Sequence, residues 1–448
     1  MKTQKMKIME SIDSSLSIDG TENEEQDSLI ADKKLPLVSS CYIYRVPPKL
    51  RKVNEDAYTP ALVSIGPFHH RDERLESTKE LKLQYLHKFM ERTHENSVEY
   101  IEKLRAWEGK IRCCYSETIA MESDEFVNMI LTDACFIIEF FLEFKHPLDK
   151  DPLAAKPWRR WYIMLDLILL ENQLPFFVLE GLFKLAFPSG FGFKRLSFVK
   201  LAYKNFRTSE LLCYAGAKKA RLHLTFEHFE QQYLTCSEVY HLNDILRMFY
   251  LPHKLKKGEQ SQSPPVKLIC SASQLREAGI KFKAKNHHGM ADVHYDDGEL
   301  KIPCFTITDW TETMIRNVIA FEQCHHPYES YVTDNIVFWD HLIDTEKDVE
   351  LLVQKKIIKN FLSDNNAVAF MVNGLCRNFV PISSNHDYVK LCEDLNDFYD
   401  KRTNKYKAIF RHEYLRTPWK IASLVAAILL LFLTLIQAVC SVIALFQK

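Results

Sequence analysis

Glycine is scarce in this chain, with twelve residues in a sequence of 448. Loops that cradle phosphate groups depend on glycine, because their backbone amides must approach the ligand closely. The close pair Gly190 and Gly192 lacks the third glycine of a dinucleotide site, and the string G-x-x-x-x-G-K-[ST] does not occur. The sequence therefore argues against ATP, GTP and NAD chemistry and predicts no nucleotide partner.

The chain also lacks an excess of charge and any paired cysteine motif. Its formal net charge is -1, and its Lys and Arg residues are spread along the whole length, which predicts no nucleic-acid partner. Twelve cysteines include one adjacent pair, Cys113 and Cys114, and none at C-x-x-C spacing. This spacing indicates neither a zinc knuckle nor a thioredoxin-type site, and free cysteines are typical of a reducing cytosol.

Catalytic motifs are missing as well. Neither H-E-x-x-H nor G-x-S-x-G occurs, and the histidines come as adjacent pairs at 69–70, 287–288 and 325–326. Neighbouring side chains on a helix point about 100° apart, so an adjacent pair does not converge on one ion. We therefore predict no catalytic residue, no metal site and no cofactor, and that the protein is not an enzyme.

One long apolar run stands out against this background. No charged side chain occurs between Ile421 and Phe446. A helix over this run exceeds the ~30 Å hydrocarbon core of a bilayer, so we predict a single transmembrane helix at 421–446 and a lipid bilayer as its partner. Ser423 and Ala427 form one small-x-x-x-small pair, which chance explains as well as helix pairing does.

The charged residues around this run predict its orientation. Seven Lys and Arg residues lie between 401 and 420, whereas Lys448 alone follows the span. Positive flanks stay cytoplasmic, and residues 1–20 contain no apolar core of a secretory signal. We therefore expect a tail-anchored protein with a cytoplasmic body. The opposite topology stays open, as does the choice between plasma membrane and endomembrane.

Apolar periodicity predicts a mainly α fold: a helical body of two lobes with a small antiparallel β insert, plus the C-terminal transmembrane helix. Helices are predicted at 78–92, 123–144, 273–278, 314–321, 335–343, 348–362 and 388–398. Strands are predicted at 280–284, 291–295 and 299–302, the last two joined by Asp297-Gly298 as a hairpin. Composition divides the chain into a disordered tail (1–34), a helical lobe (35–253), a linker (254–265), an α/β lobe (266–400), a basic stem (401–420) and the span (421–446).

The segment 158–187 resembles a second membrane span until its polar residues are counted. Asp166, the triplet Glu171-Asn172-Gln173 and Pro175 interrupt it. A carboxylate and a helix break in lipid each cost kcal/mol, so we predict two buried helices that meet near Pro175. The triplet is predicted to be a polar cap between them.

Several strings resemble the plant family known as domain of unknown function 247, over residue 35 to the C-terminus. They are CYIYRVP (41–47), AYTP (57–60), VSIGPFHH (63–70), DACFIIE (133–139), LLENQLPFF (169–177), LREAGI (275–280), RNVIAFEQC (316–324) and PW (418–419). The resemblance implies a C-terminally anchored plant protein, and some grass members of that family are implicated in self-incompatibility. The family has no established catalytic residues to transfer.

Two function classes remain open. The first is a membrane-anchored interaction or recognition protein, with the hairpin and the N-terminal tail as candidate contacts for protein partners. The alternative is a membrane-bound hydrolase or transferase that uses acidic and histidine residues around Glu171 and Glu322. The first class is favoured, and one concave pocket containing both carboxylates and a histidine would favour the second.

Overall fold

The structure is a computed structural model. It describes residues 41–93, 97–143, 153, 156–188, 197–208, 226–231, 238–252, 266–285, 290–380, 384–401, 406 and 418–446. The predicted tail (1–34), linker (254–265) and His287-His288 pair lie outside these residues, as does most of the basic stem.

The N-terminal half is a helical bundle preceded by an irregular segment. Its helices are α1 (Pro48–Arg51), α2 (Lys79–Thr93), α3 (Ser97–Cys113), α4 (Ser123–Glu143), α5 (Pro157–Asp166), α6 (Phe176–Ala186), α7 (Phe198–Thr208), α8 (Phe226–Phe229) and α9 (Leu242–Tyr250). Short 3-10 turns occupy Asp56–Tyr58 and Glu73–Thr78. Helix α4 is buried on nearly every face, and α2, α3, α6 and α7 pack around it.

Helices α5 and α6 confirm the internal placement of the segment 158–187. Helix α5 ends at Asp166, and residues 167–175 form a buried connection before α6 begins at Phe176. Pro175 lies at the N-cap of α6, where its missing amide hydrogen leaves no helical bond unmade. The second helix therefore begins where the sequence indicated, but the first ends at Asp166, so the two helices do not meet near Pro175. Helix α5 also exposes Trp158 and Tyr162.

The C-terminal half alternates helices with short strands. Its elements are α10 (Ala272–Ala278), β1 (Lys281–Lys285), β2 (His294–Asp296), β3 (Glu299–Pro303), β4 (Phe305–Ile307), α11 (Thr311–His325), α12 (Tyr331–Leu342), α13 (Glu346–Gln354), β5 (Ile358–Asn360), α14 (Asn365–Leu375) and α15 (His386–Asp400). The mainly α fold class with a small sheet is confirmed. Gly279 ends α10 with φ +117°, a conformation that favours glycine.

The β insert differs in detail from the prediction. Strands β2 and β3 form the expected antiparallel hairpin around Asp297-Gly298, with Tyr295 opposite Leu300. Strand β1, however, pairs with β3 in parallel, so this sheet is mixed and not wholly antiparallel. Periodicity along one strand does not report this pairing.

The predicted helix at 348–362 is too long. Helix α13 ends at Gln354, Lys356 has φ +59°, and β5 then pairs in parallel with β4. Ile357 and Ile358 are buried here. These apolar residues match the spacing of a helix, which is why the sequence predicted one, but the backbone is not helical at this point.

The two predicted lobes contribute to one continuous set of buried side chains that runs from Ile43 to Leu395. Near the boundary, the Tyr250 hydroxyl lies 3.8 Å from Met314 Sδ. The lobe boundaries themselves stay a prediction.

The chain ends in α16 (Pro418–Phe446). Within it, the 20 residues Ile421–Cys440 form a helix long and apolar enough to cross a membrane, and none of this stretch is buried against the body. At about 1.5 Å per residue it is roughly 30 Å long, which matches a hydrocarbon core.

Candidate functional site

Glu171 lies in the buried connection between α5 and α6 and is 2% exposed. Its Oε1 accepts a hydrogen bond from the Val46 amide at 2.7 Å and lies 2.7 Å from an Arg51 nitrogen. Its Oε2 accepts from Arg45 Nη1 at 3.0 Å and lies 3.3 Å from His69 Nε2. Both oxygens are therefore occupied by groups from the irregular N-terminal segment.

These donors control the charge of Glu171. Burial by itself raises the pKa of a carboxyl, but His69, Arg51 and the Val46 amide stabilise the ionised form and lower the pKa to about 2. Glu171 is ionised at neutral pH, and its oxygens are already engaged. This geometry is that of a structural anchor.

Asn172 and Gln173 use their amide groups in the same way. Asn172 Oδ1 accepts from the Ile65 amide at 2.6 Å, and its Nδ2 donates to the Val63 carbonyl at 2.9 Å. Gln173 Oε1 accepts from the Leu242 amide at 2.9 Å, at the start of α9. The triplet thus fits the predicted polar cap, and it also joins three separate segments of the chain.

Asp166 ends α5 and holds the adjoining part of the N-terminal segment. Its carboxylate accepts from the amides of Ala61, Leu62 and Val63 at 2.7–2.8 Å. Burial raises the pKa of Asp166 to about 6 in spite of these three donors.

Asp133, on the central helix α4, binds the next part of that segment. Its Oδ2 accepts from the Gly66 amide at 2.8 Å, and its Oδ1 accepts from Lys82 Nζ at 2.6 Å. Lys82 and Asp133 are both buried, and Lys82 also donates to the Ser64 carbonyl. A buried lysine is tolerated here because each of these contacts compensates its charge.

We call this set of buried groups the signature network; its members are Asp133, Asp166, Glu171, Asn172, Gln173 and the residues of segment 41–70 that they bind. Most of its members lie in the strings that carry the family resemblance. Those strings therefore encode how an irregular segment without regular backbone pairing is held against a helical core. This role is not predictable from a motif, although carboxylates and amides inside apolar runs are a signal of it in the sequence.

Glu322, on α11, belongs to a different network. Its Oε1 accepts from Arg247 Nε at 2.9 Å, and its Oε2 accepts from the amide and the hydroxyl of Thr333 at 2.8 and 2.7 Å. Among the described contacts, no donor is shared between Glu322 and Glu171. The structure does not bring these two carboxylates into one pocket.

The described histidine pairs are divided among separate surroundings. His69 faces Glu171, whereas His325 stacks on Phe321 and its Nδ1 lies 3.1 Å from the Tyr44 hydroxyl. His326 is part of the same aromatic contact, and burial lowers its pKa to about 2. Within the described residues, no group of three His, Cys, Asp or Glu side chains is arranged to hold a metal ion.

A cavity of about 300 Å³ lies beside α12, between α11, the start of α15 and the residues after α14. We call it the α12 cavity. Asp334, Val337 and His341 line it from one face of α12, since their spacings of three and four match the helical repeat. Its apolar wall includes Val266, Cys376, Phe379 and Val380. A second, more open hollow of about 590 Å³ shares Asp334 and Tyr388 with it.

Asp334 is a buried carboxyl in these walls that has no ion-paired cation among the residues that the structure describes. It is 6% exposed, and its Oδ2 accepts from the Asn385 amide at 2.6 Å. No described Lys, Arg or His forms an ion pair with it. Burial, together with the nearby charge of Glu322, raises the pKa of Asp334 to about 7.

Two further polar atoms at these walls are buried without a hydrogen-bond partner. They are His341 Nδ1, in the α12 cavity, and Asn335 Oδ1, whose residue lines the second hollow. Burial and the charge of Lys267 lower the pKa of His341 to about 4, so its ring is neutral at pH 7. The sequence analysis did not select Asp334 or His341, because single polar residues in a helix carry no motif.

Comparison with known proteins places the chain among plant sequences. A family model described as a plant protein of unknown function matches residues 43–433. The Arabidopsis thaliana protein named UPF0481 protein At3g47200 is 28% identical over 435 residues, covering 90% of this chain and 87% of that protein. A second UPF0481 protein of Arabidopsis thaliana, At3g02645, is 24% identical, covering 88% of this chain and 89% of that protein. No solved structure is significantly similar to the chain.

Proposed function

The chain belongs to the domain of unknown function 247 family of plant proteins, and on this premise we propose that it is a single-pass membrane protein that presents a helical recognition body to protein partners. The body lies on the cytoplasmic side in this proposal. Family membership itself leaves the biochemical activity open, so the proposal rests on the exposed and buried surfaces of this chain. Self-incompatibility stays a prediction from some grass members of the family.

The observation that carries the proposal is the exposed surface of α16. Leu430, Leu431 and Phe432 are 65%, 70% and 62% exposed. Apolar side chains on every face of a helix of this length are typical of a segment that lies in lipid. The basic residues between 401 and 420 favour a cytoplasmic body, because positive flanks are retained on that side.

A cluster of aromatic side chains on the body supports the recognition role. Trp158, Trp161, Tyr162 and Trp310 form what we call the aromatic patch. Trp310 lies 5.6 Å from Trp161 and 5.9 Å from Tyr162, measured between ring centroids, and Trp158 lies 6.0 Å from Tyr162. Trp158 and Tyr162 are 56% and 37% exposed. Clustered surface Trp and Tyr are typical of the centre of a protein–protein interface.

The chemistry around the aromatic patch specifies its partner. Lys156, the N-cap residue of α5, and Arg159, in its first turn, are close to the exposed Trp158 in sequence. The patch therefore fits a protein segment that has an apolar side chain bordered by Asp or Glu. The predicted hairpin is a weaker candidate surface, because Tyr295 packs on Phe398 of α15 at 6.1 Å.

We assign no catalytic role to Glu171 or Glu322. The oxygens of both carboxylates are occupied by donors from the protein itself. That the chain is not an enzyme stays a prediction, and the hydrolase or transferase alternative has no specific observation in its favour.

The membrane proposal is tested by fractionation of the full chain. Leu430→Arg should cost about 3 to 4 kcal/mol of insertion free energy, whereas Leu430→Ile should leave insertion unchanged. A stop codon at Trp419 should release the body from membranes. Protease added to sealed microsomes should digest an N-terminal tag. If carbonate at high pH extracts the intact chain, or if the tag is protected, the membrane proposal or its orientation is wrong.

The recognition proposal is tested at the aromatic patch. Proximity labelling from an N-terminal tag would supply candidate partners, and each candidate would then be titrated as a purified protein. Trp158→Ala with Tyr162→Ala should weaken binding at least tenfold. Phe370→Ala is the matched control, because Phe370 is 69% exposed and lies outside the patch. Equal loss in both variants would count against a specific interface.

A further inference from the structure

We propose that the α12 cavity binds a small elongated ligand that has an ammonium group at one end, an apolar middle and a hydroxyl donor at the other. The ammonium group would bind Asp334, and the hydroxyl would donate to His341. This site is independent of the membrane span and of the aromatic patch. Para-hydroxyphenylethylamine, tyramine, is the simplest compound with this chemistry and serves as the probe.

The size of the cavity fits such a ligand. Its volume of about 300 Å³ lies at the lower end of the range for small-molecule sites. A water molecule takes about 30 Å³ of liquid volume, so the cavity has room for roughly ten groups of that size. Apolar atoms form most of the wall surface, which suits a compound with an aromatic or aliphatic middle.

The charges in the walls favour a cation. Glu322 is ion-paired with Arg247 at 2.9 Å. Lys267 is exposed at the cavity, and its charge acts on Asp340 and His341. Of the two buried carboxyls that line this cavity, Glu322 and Asp334, only Asp334 has no ion-paired cation among the described residues. An ammonium ion placed against Asp334 would supply the missing countercharge in a region of low dielectric.

The spacing along α12 determines the length of the ligand. Asp334 and His341 are seven residues apart, so about 10 Å of helix axis separates them. Val337 lies between them on the same face and contributes an apolar surface. One ammonium group cannot reach both residues, whereas the amine and hydroxyl of an extended para-hydroxyphenylethylamine are separated by a comparable length.

The unpartnered His341 Nδ1 explains the hydroxyl end. A neutral imidazole has one nitrogen that accepts a hydrogen bond, and a buried polar atom without a partner is costly. His341 lines the cavity although Nδ1 itself is buried, so in this proposal the ring turns about its Cβ–Cγ bond and Nδ1 then accepts a hydrogen bond from a phenol or alcohol hydroxyl. Asp334 accepts from the Asn385 amide through Oδ2 and from the Ser330 side chain, and because a carboxylate has about four lone-pair sites, acceptor positions remain for the amine.

Isothermal titration of the full chain in nanodiscs tests this assignment. Tyramine should bind at least tenfold more tightly than 4-hydroxyphenylacetate, which has a carboxylate in place of the amine. The neutral alcohol 2-(4-hydroxyphenyl)ethanol should also bind at least tenfold more weakly. Phenethylamine, which lacks the hydroxyl, should bind several-fold more weakly than tyramine. Equal affinity for the amine and the acid, or no binding of tyramine at millimolar concentration, would overturn the proposal.

Variants locate the site. Asp334→Asn keeps an acceptor for the Asn385 amide but removes the charge, so tyramine affinity should fall at least tenfold. Asp309→Asn, an exposed residue outside the cavity, is the matched control and should bind as the wild type does. His341→Phe should bring tyramine to the affinity of phenethylamine. Val337→Phe fills the cavity and should abolish binding of every compound, so unchanged binding in this variant would refute the site even if Asp334→Asn fails to fold.

Discussion

Glu171 and Asp334 are both carboxyls with almost no exposed surface, at 2% and 6%, but their surroundings differ. Glu171 has two arginines, a histidine and a backbone amide around its two oxygens. Asp334 has the Asn385 amide, the Ser330 side chain and no described cation around its oxygens, and a cavity lies beside it. Their pKa values move in opposite directions as a result, to about 2 and to about 7.

This contrast distinguishes groups that hold the fold together from groups that remain available to a ligand. In the signature network, the protein itself satisfies each carboxylate, and each satisfied carboxylate joins segments far apart in sequence. At the α12 cavity, the protein supplies the Asp334 carboxyl with too few donors to compensate its charge. Burial without full compensation is typical of binding and catalytic sites, where a ligand completes the set of contacts.

The largest expected effect comes from breaking the signature network at its most connected member. Glu171→Ala removes the partner of Arg45, Arg51 and the Val46 amide together, so we expect a loss of about 3 kcal/mol or more in unfolding free energy. Chemical denaturation of the full chain in detergent measures it. Glu117→Gln is the control, because this exposed partner of Arg45 should contribute less than about 1 kcal/mol. Similar losses of unfolding free energy in both variants would show that Glu171 does not hold the network together.

A smaller loss is expected at Gly66, where the network requires a particular backbone conformation. Gly66 has φ +69°, and an added Cβ would lie 2.6 Å from the Gln173 carbonyl oxygen. Gly66→Ala should therefore cost about 2 kcal/mol from the clash and the strained backbone. Gly109→Ala, on an open face of α3, should instead stabilise by about 0.5 to 1 kcal/mol. Thermal unfolding of the two variants separates these opposite signs.

The two carboxyls should also respond oppositely to pH. The folded pKa of Asp334 lies above its usual value of 3.8, so folding takes up a proton between about pH 4 and pH 7. Its contribution to stability is present below pH 4 and is lost as the pH rises through 7. Asp334→Asn should therefore gain about 2 kcal/mol relative to the wild type between pH 5 and pH 8.

The difference between wild type and variant isolates Asp334 from Asp166 and Asp244, whose pKa values burial also raises to about 6. The groups that face Asp334 are Glu322, which raises its pKa, and the Asn385 amide and Ser330, which lower it. If the difference in unfolding free energy between wild type and variant does not change between pH 5 and pH 8, the pKa of Asp334 is not raised.

The smallest effect, confined to acid, is expected for the same measurement on Glu171. Its folded pKa is depressed, so its contribution is present above about pH 4.5 and is lost as the pH falls towards 2. From pH 5 to pH 8, the unfolding free energy of Glu171→Gln should change with pH as that of the wild type does. Below pH 4, the variant should lose less stability than the wild type. If the unfolding free energies of wild type and variant fall equally below pH 4, the donors do not stabilise the ionised carboxylate.

Much of the architecture was predictable because it follows from local pattern. Helix α4 was predicted at 123–144 and is observed at Ser123–Glu143, since its apolar residues recur at helical spacing. The β2–β3 hairpin followed from Asp297-Gly298, which favours a tight turn. The prediction of one helix over 348–362 was wrong in its second half because β5 forms by pairing with β4, which lies some fifty residues earlier.

By itself, the sequence determined the mainly helical class, the family and the apolar C-terminal helix, because composition and short-range spacing are properties of neighbouring residues. Only the tertiary structure decided that both oxygens of Glu171 have donors from the protein and that Asp334 lies beside a cavity. Both are buried acids, and their chemistry depends on donors that come from distant parts of the chain. That information exists only once the chain has folded, since burial and contact set the charge of a carboxyl more strongly than its neighbours in sequence do.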